Sequence, residues 1–357
     1  MSRDATKSER PGPRAMWRPP MGLRAVVAAA ALAWALLGIF GVFRYVQAYW
    51  LYRGFAPPVT PRGVAAGRLL TRAFSSPALH ARSAIDVYLP PGYRQAVAMG
   101  RRFPVVYLLH GEPGQPNNFF FIGDLHVAEN VLLARHRIRP MILVAPSGRS
   151  ARFGAETEWA NTRAGNFEDY VLDVVRYTDA HFATIPDRRD RVLAGLSEGG
   201  FGAANIALRH LAVFGGFQSW SGYFRESPTG PFAHASPAQV RANSPLAYVP
   251  ALAPTIRRLG LHAYVYAGRA DRSGARQLLQ FAPVLRAAGT HVTFSLYHGG
   301  HDWGLWRREG PHMLSVANRW FTAASTVLAA RTPAIAGAPR RARARGVVAR
   351  GRAVRNA

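Results

Sequence analysis

The sequence predicts an α/β fold: a mostly parallel central sheet with helices on both faces, preceded by one membrane-spanning helix. Three observations carry that expectation. From about Leu69 onward, short apolar runs alternate with stretches of helical spacing, the pattern of a sheet covered by helices. A Gly-Leu-Ser-Glu-Gly-Gly run (195–200) sits between one such run and a helical stretch. Near the start, Ala25 to Phe43 is nineteen residues without a charge, bounded by Arg24 and Arg44.

Residues 1–24 are polar and basic, with five Arg and one Lys against Asp4 and Glu9. They read as a cytoplasmic segment without a core of its own. The apolar run AVVAAAALAWALLGIFGVF approaches the length of a transmembrane helix, about 20 residues. Tyr45, Tyr49, Trp50 and Tyr52 beyond it resemble an interfacial aromatic belt. The basic N-terminal flank places residues 1–24 in the cytoplasm and the rest outside. Val46-Gln47-Ala48 also resembles a signal-peptide cleavage site, but the run exceeds the ~7–15 residues of a signal core, so an uncleaved anchor over 25–45 is expected. Residues 46–68, with three prolines and three glycines from Gly54 to Gly67, read as a linker.

A catalytic domain is expected over residues 69–330. Ala84–Leu89 alternates and stops at Pro90-Pro91-Gly92, as a strand and turn do. Further strands are expected at Phe103–Leu109, Met141–Pro146, Arg191–Ala194, Gly215–Trp220, His262–Ala267 and Val292–Tyr297. Helices are expected at Phe167–Phe182, Gly199–His210, Gln277–Ala288 and His312–Leu328. Residues 221–260, rich in Pro, Ala and Ser, read as an irregular insertion over the catalytic edge.

The formal charge is +26, and the two ends account for +12, leaving +14 for residues 25–330. Arg outnumbers Lys 44 to 1, a skew that genomic base composition also produces. Residues 331–357 carry eight Arg and no acid and read as a solvated, disordered tail, with anionic lipid or wall polymer as a possible contact. Exported topology argues against nucleic acid as a partner. The absence of Cys excludes disulfides, a Cys nucleophile and thiolate metal sites.

A Ser between glycines at a strand-to-helix turn has the form of a nucleophile elbow. Only residues lacking Cβ leave room for the neighbouring backbone on so tight a turn. Ser197 then needs a base, an orienting acid and an oxyanion hole. His301 follows two glycines just past the strand Val292–Tyr297, which makes it the preferred base, with His298 second. Asp271 lies just past the strand His262–Ala267, where a carboxylate reaches the catalytic edge. Asp302 adjoins His301 and is poorly placed to reach the far ring nitrogen, so Asp271 is preferred. A metal at His298, His301 and Asp302 lacks a further ligand group, and no cofactor is expected. The oxyanion donors are expected at the backbone N–H groups of Glu198 and Glu112, because Pro113 has none; both carboxylates should point away. Phe119, Phe120, Phe121, Trp159, Trp220, Tyr223 and Trp303 are candidates for an acyl pocket or for the core.

The segments VYLPPGYR (87–94), FPVVYLLHG (103–111), RVLAGLSEGGFGAANIALRH (191–210) and GGHDWGLWR (299–307) together resemble the putative-esterase family of α/β-hydrolases. That family includes esterase D, feruloyl esterases, enterochelin esterases and mycolyltransferases, and the likeness is greatest to membrane-anchored or secreted actinobacterial members. The resemblance implies an α/β-hydrolase fold, with Ser197 as nucleophile, His301 as base and Asp271 as acid. It also implies an esterase acting on a small-molecule, lipid or sugar ester. An acyltransferase of the same chemistry and a non-catalytic surface-binding scaffold are the alternatives. Glu198 departs from the family, which often has an uncharged residue there. The early His-Gly favours a general esterase over the mycolyltransferases.

Overall fold

The computed structural model describes residues 21–321 apart from Ala155. The expected basic segment before residue 21, the Arg-rich tail and the end of the last helix beyond residue 321 lie outside the described residues. In chain order, helix α1 (Met21–Tyr52) precedes strands β1 (Arg68–Ser76) and β2 (Ala81–Leu89), helix α2 (Tyr93–Ala98) and strand β3 (Val105–Leu109). Helices α3 (Asn118–Phe121) and α4 (Leu125–Ala134), strand β4 (Ile142–Pro146) and a small hairpin, β5 (Asn161–Thr162) and β6 (Gly165–Asn166), follow. Next come helix α5 (Phe167–His181), strand β7 (Arg191–Leu196), helix α6 (Glu198–Arg209) and strand β8 (Gly216–Trp220). Short helices α7 (Pro237–Ala242), α8 (Pro245–Tyr248) and α9 (Ala253–Leu259) lead to strand β9 (His262–Gly268), helix α10 (Arg272–Ala287), strand β10 (His291–Tyr297) and helix α11 (Trp303–Trp320).

One eight-stranded sheet runs in the order β1-β2-β4-β3-β7-β8-β9-β10. The β1/β2 and β2/β4 pairs are antiparallel, and every pair from β4 to β10 is parallel. Strand alternation divides the core between the two faces. Val105, Tyr107, Leu109, Leu193 and Val265 point to the face covered by α5, α6 and α10. Val106, Leu108, Val192, Ala194 and Tyr264 point to the face covered by α3, α4 and α11, where they meet Phe119, Leu125 and Leu314. The interior strands are buried throughout, as a parallel sheet covered on both faces requires. Each fully buried Val or Leu contributes roughly 1.5–3 kcal/mol.

Helix α1 is apolar and long enough to cross a membrane, and none of its apolar window is buried by protein. It continues through Tyr52, seven residues into the stretch expected as linker, because the chain meets no breaker before Gly54. The insertion also differs from expectation. Its short helices pack on the outer side of α6 rather than over the site: Asn243 bonds Asn205, Tyr248 bonds Asn205, and Arg209 bonds the Ala242 carbonyl. Three prolines at helix starts (Pro237, Pro245 and Pro254) punctuate it into short turns.

Candidate active site

The site forms where β7 gives way to α6. Ser197 stands between them at φ 55° and ψ −122°, a region that residues with a Cβ rarely occupy. The turn is tight because α6 starts against the end of β3. A Cβ on Gly199 would lie 1.9 Å from the Leu109 carbonyl oxygen, and one on Gly195 would lie 2.1 Å from the Gly199 oxygen. Glycine is therefore required at both positions, and Ser197 projects from the crest.

Two later strand ends bring the partners. Asp271, just past β9, caps α10: its Oδ1 accepts from the Gly274 N–H at 2.9 Å. Its Oδ2 is paired with His301 Nδ1 at 2.8 Å. His301, in the loop after β10, places Nε2 2.8 Å from Ser197 Oγ. The Asp271 carboxylate is only 8% exposed, whereas the imidazole is 44% exposed and so reachable from solvent. Asp302 is used otherwise. It caps α11 through the Leu305 N–H at 3.0 Å and accepts from the Gly300 N–H. The His298 carbonyl accepts from Arg308. Among the described residues, no three His, Asp or Glu side chains converge as a metal site.

A cleft of about 320 Å³ opens beside Ser197, bordered by His110–Gly114, Asn118, His301, Asp302, Trp303, Trp306 and Arg53. Residues 225–260 contribute nothing to this lining. Trp303 is the one expected aromatic that reaches it; Phe119, Phe120, Trp159 and Trp220 are buried in the core, and Tyr223 stacks on Phe201 of α6. Sequence reasoning missed Trp306 and Arg53. Trp306 stands one helical turn after Trp303 and meets the His301 ring edge-on at 5.2 Å, so the i, i+3 spacing was a usable signal. Nothing in the sequence tied Arg53 to a serine 144 positions away.

The loop after β3 is fixed by buried polar contacts. His110 is buried, its Nε2 accepts from the Gly148 N–H at 2.9 Å, and its Nδ1 lies 3.0 Å from the Gly111 carbonyl. Burial holds its pKa down at about 4, so the ring is a neutral brace. The Trp159 indole donates to the His110 carbonyl at 2.9 Å. A Cβ on Gly111 would come within 2.9 Å of the Ser197 Cβ, so this loop lies directly against the Ser197 turn.

Glu198 opens α6, where its N–H is one of the helix-start donors without an intrahelical acceptor. Its carboxylate turns to the 157–159 loop and accepts from the N–H groups of Glu158, at 2.6 Å, and Thr157, at 2.9 Å. Those bonds hold Glu158 and Trp159 at φ 54° and 47°. Burial, reinforced by nearby Glu158, lifts the Glu198 pKa well above the ordinary carboxylate range. Glu158 itself is pushed up to about 7 by burial and bonds the Tyr223 hydroxyl. Glu226 is pushed up to about 8, again mainly by burial. Burial and Glu158 thus both work against ionisation of the residue beside Ser197, and the two N–H bonds from Thr157 and Glu158 oppose them. Glu112 borders the cleft, and its pKa is raised by partial burial and by Glu156.

Comparison with known proteins places this geometry in context. The family profile described as "Putative esterase" matches residues 76–315. An endo-1,4-beta-xylanase/feruloyl esterase of Xylanibacter ruminicola is 27% identical over 230 residues, which is 62% of this chain and 27% of that protein. An esterase of Mycobacterium tuberculosis is 28% identical over 172 residues, 47% of this chain and 35% of that protein. The chain thus spans about a third or less of the length of these two relatives. A solved ferulic acid esterase superposes with a TM-score of 0.63 at 24% identity, covering 72% of this chain and 100% of that one. An S-formylglutathione hydrolase from Agrobacterium tumefaciens superposes with a TM-score of 0.58 at 17% identity, over 75% and 100% of the two chains. At these identities the two structures speak for the fold.

Proposed function

Because the chain belongs to the putative-esterase family of α/β-hydrolases, we propose that it is an exported serine esterase whose triad is Ser197, His301 and Asp271. The observation that carries this reading is the imidazole of His301 held between Ser197 Oγ and Asp271 Oδ2, 2.8 Å from each. Ser197 Oγ attacks the ester carbonyl carbon as His301 Nε2 takes its proton. Asp271 keeps the ring in the tautomer that leaves Nε2 free to accept. The backbone N–H groups of Glu198 and Glu112 receive the developing oxyanion, at a helix start whose dipole favours negative charge. His301 then returns the proton to the departing alkoxide, leaving an acyl-Ser197. Water attacks that acyl carbon, giving up a proton through His301 to Ser197 Oγ, and the acid leaves. A sugar or lipid hydroxyl in place of water would make the same intermediate a transferase step.

Helix α1 serves in this reading as an uncleaved single-pass anchor, with residues 69–330 outside the membrane. The test is hydrolysis of p-nitrophenyl butyrate and labelling by a fluorophosphonate, for the full chain and for Ser197→Ala. Turnover and labelling that both disappear in the variant are expected. Labelling without turnover would favour the transferase. A folded protein that shows neither would overturn the proposal.

A further inference from the structure

A second and larger cavity, about 680 Å³, lies between the upper end of α1 and the loop before α3. Its α1 wall runs from Phe43 to Arg53, and its other wall is Pro113, Gly114, Gln115, Asn118 and Arg149. Arg53, Pro113, Gly114 and Asn118 also border the Ser197 cleft, so the two spaces adjoin along a shared wall. The end of α1 is fastened there: Tyr52 meets Phe121 edge-on at 6.1 Å, and Arg307 lies over the Phe55 ring at 5.1 Å.

The position of this groove along α1 has a consequence. The uncharged run ends at Phe43, with Arg44 next, so Phe43 marks the edge of the hydrocarbon when α1 spans the bilayer. From Phe43 to Tyr52 the helix rises about 14 Å, and Arg53 follows it. The headgroup layer is about 5–8 Å thick on each side. The groove therefore starts at the hydrocarbon edge, passes through the headgroup layer and ends at Arg53, Pro113, Gly114 and Asn118, which also border the Ser197 cleft. Phe43, Val46, Ala48, Trp50 and Leu51 make much of its wall apolar, and its charged lining is Arg44, Arg53 and Arg149, with no acid. That lining accepts an acyl chain and suits a neutral or anionic headgroup. A soluble ester has no need of a groove that opens into the membrane.

We propose that the substrate is a long-chain acyl ester resident in the bilayer, which slides along the groove beside α1 to reach Ser197. This rests on the esterase reading and on α1 as an anchor. The apolar chain would pass from lipid to protein without crossing water, which removes most of the desolvation barrier to extracting it. The reaction itself is unchanged: ester plus water gives acid plus alcohol.

The test uses the full chain in phosphatidylcholine–phosphatidylglycerol vesicles. It compares 4-methylumbelliferyl palmitate in the bilayer with p-nitrophenyl butyrate in solution, for the wild type, for Ala48→Trp in the groove, and for Tyr45→Trp, which is absent from the groove lining. The palmitate-to-butyrate ratio of kcat/KM should fall about tenfold or more in Ala48→Trp, the scale of one or two lost methylene contacts, and should hold in Tyr45→Trp. An unchanged ratio in Ala48→Trp, or a wild type that cleaves butyrate but not palmitate, would overturn the groove proposal and leave the esterase reading standing. Loss of butyrate hydrolysis and fluorophosphonate labelling in the wild type would instead defeat the esterase reading, and the groove proposal with it.

Discussion

Replacing Gly199 by Ala tests whether the turn that carries Ser197 is held by backbone crowding. The new methyl would start 1.9 Å from the Leu109 oxygen, 2.5 Å from the Leu109 carbonyl carbon and 2.6 Å from the His110 oxygen. Comfortable contact needs about 3.5 Å, so β3 and α6 must part by roughly 1.5 Å. No side chain can rotate aside, because every one of these atoms is backbone. Leu109 also pairs with Gly195 across the β3/β7 ladder, so the displacement strains the sheet as well. Overpacking of this kind costs about 1–3 kcal/mol, and a forced backbone shift belongs at or above the upper end. Ala gains about 1 kcal/mol over Gly in helix propensity, and Gly200→Ala supplies a control with the same gain. At Gly200 the nearest atoms are the Ser219 hydroxyl oxygen at 2.9 Å and the Gly222 Cα at 3.1 Å, a milder clash. Denaturation followed by tryptophan fluorescence should place Gly199→Ala about 2 kcal/mol or more below Gly200→Ala. Hydrolysis of p-nitrophenyl butyrate should fall with it, since His110 and Gly111 follow directly from Leu109. A Gly199→Ala protein as stable as Gly200→Ala would refute the reasoning.

Other expectations concern the site and the core. Asp271→Asn keeps an oxygen for the Gly274 N–H but cannot accept from His301, so kcat should fall about 10³–10⁴-fold; a loss under tenfold would remove Asp271 from the proposed triad. Trp159→Phe deletes the bond to the His110 carbonyl and should cost about 1–3 kcal/mol in denaturation, with kcat/KM reduced as the loop loosens; unchanged stability would count against that brace. Glu129 is fully buried and pushed up to about 8 from 4.5 by burial, with the Met141 N–H bonded to one oxygen. The folded state keeps a proton that the unfolded chain releases, so this group lowers stability as pH rises from 4.5 to about 8, by on the order of 5 kcal/mol in all. Glu129→Gln should flatten the denaturation midpoint between pH 5 and 8, and an unaltered slope would contradict the assignment.

Much of the sheet was legible because its interior strands are continuous apolar runs closed by Gly, Pro or Asp. β3, β4, β7, β8, β9 and β10 fall within two residues of expectation at either end. β1, by contrast, lies at the sheet edge as Arg-Leu-Leu-Thr-Arg-Ala-Phe-Ser-Ser, with only Phe74 and Ser76 buried, so its pattern is weak. Helix α4 was missed although it buries Leu125, Val127, Glu129 and Asn130, because two polar residues occupy core positions. Helices α10 and α11 begin five and nine residues before the expected starts, since the Asp271 and Asp302 caps were weighed only as catalytic groups. The three triad candidates were readable because each follows a recognisable strand. The support around them was not: Trp159 on His110, Glu198 on the 157–159 loop and Arg53 at the cleft are contacts between segments with no common local pattern.

The order of strands has a further bearing on how the proposed catalyst fails. Ser197, Asp271 and His301 follow three different strands, and His301 hangs from β10, which pairs only with β9. An outermost strand frays at lower free energy than the interior of its sheet. Partial opening of β10 would carry the imidazole away while seven strands and the serine stayed in place. Loss of turnover on heating should then precede loss of tryptophan signal, and amide exchange across 291–297 should track the former. Activity in this protein would be a gauge of one edge strand rather than of the whole domain.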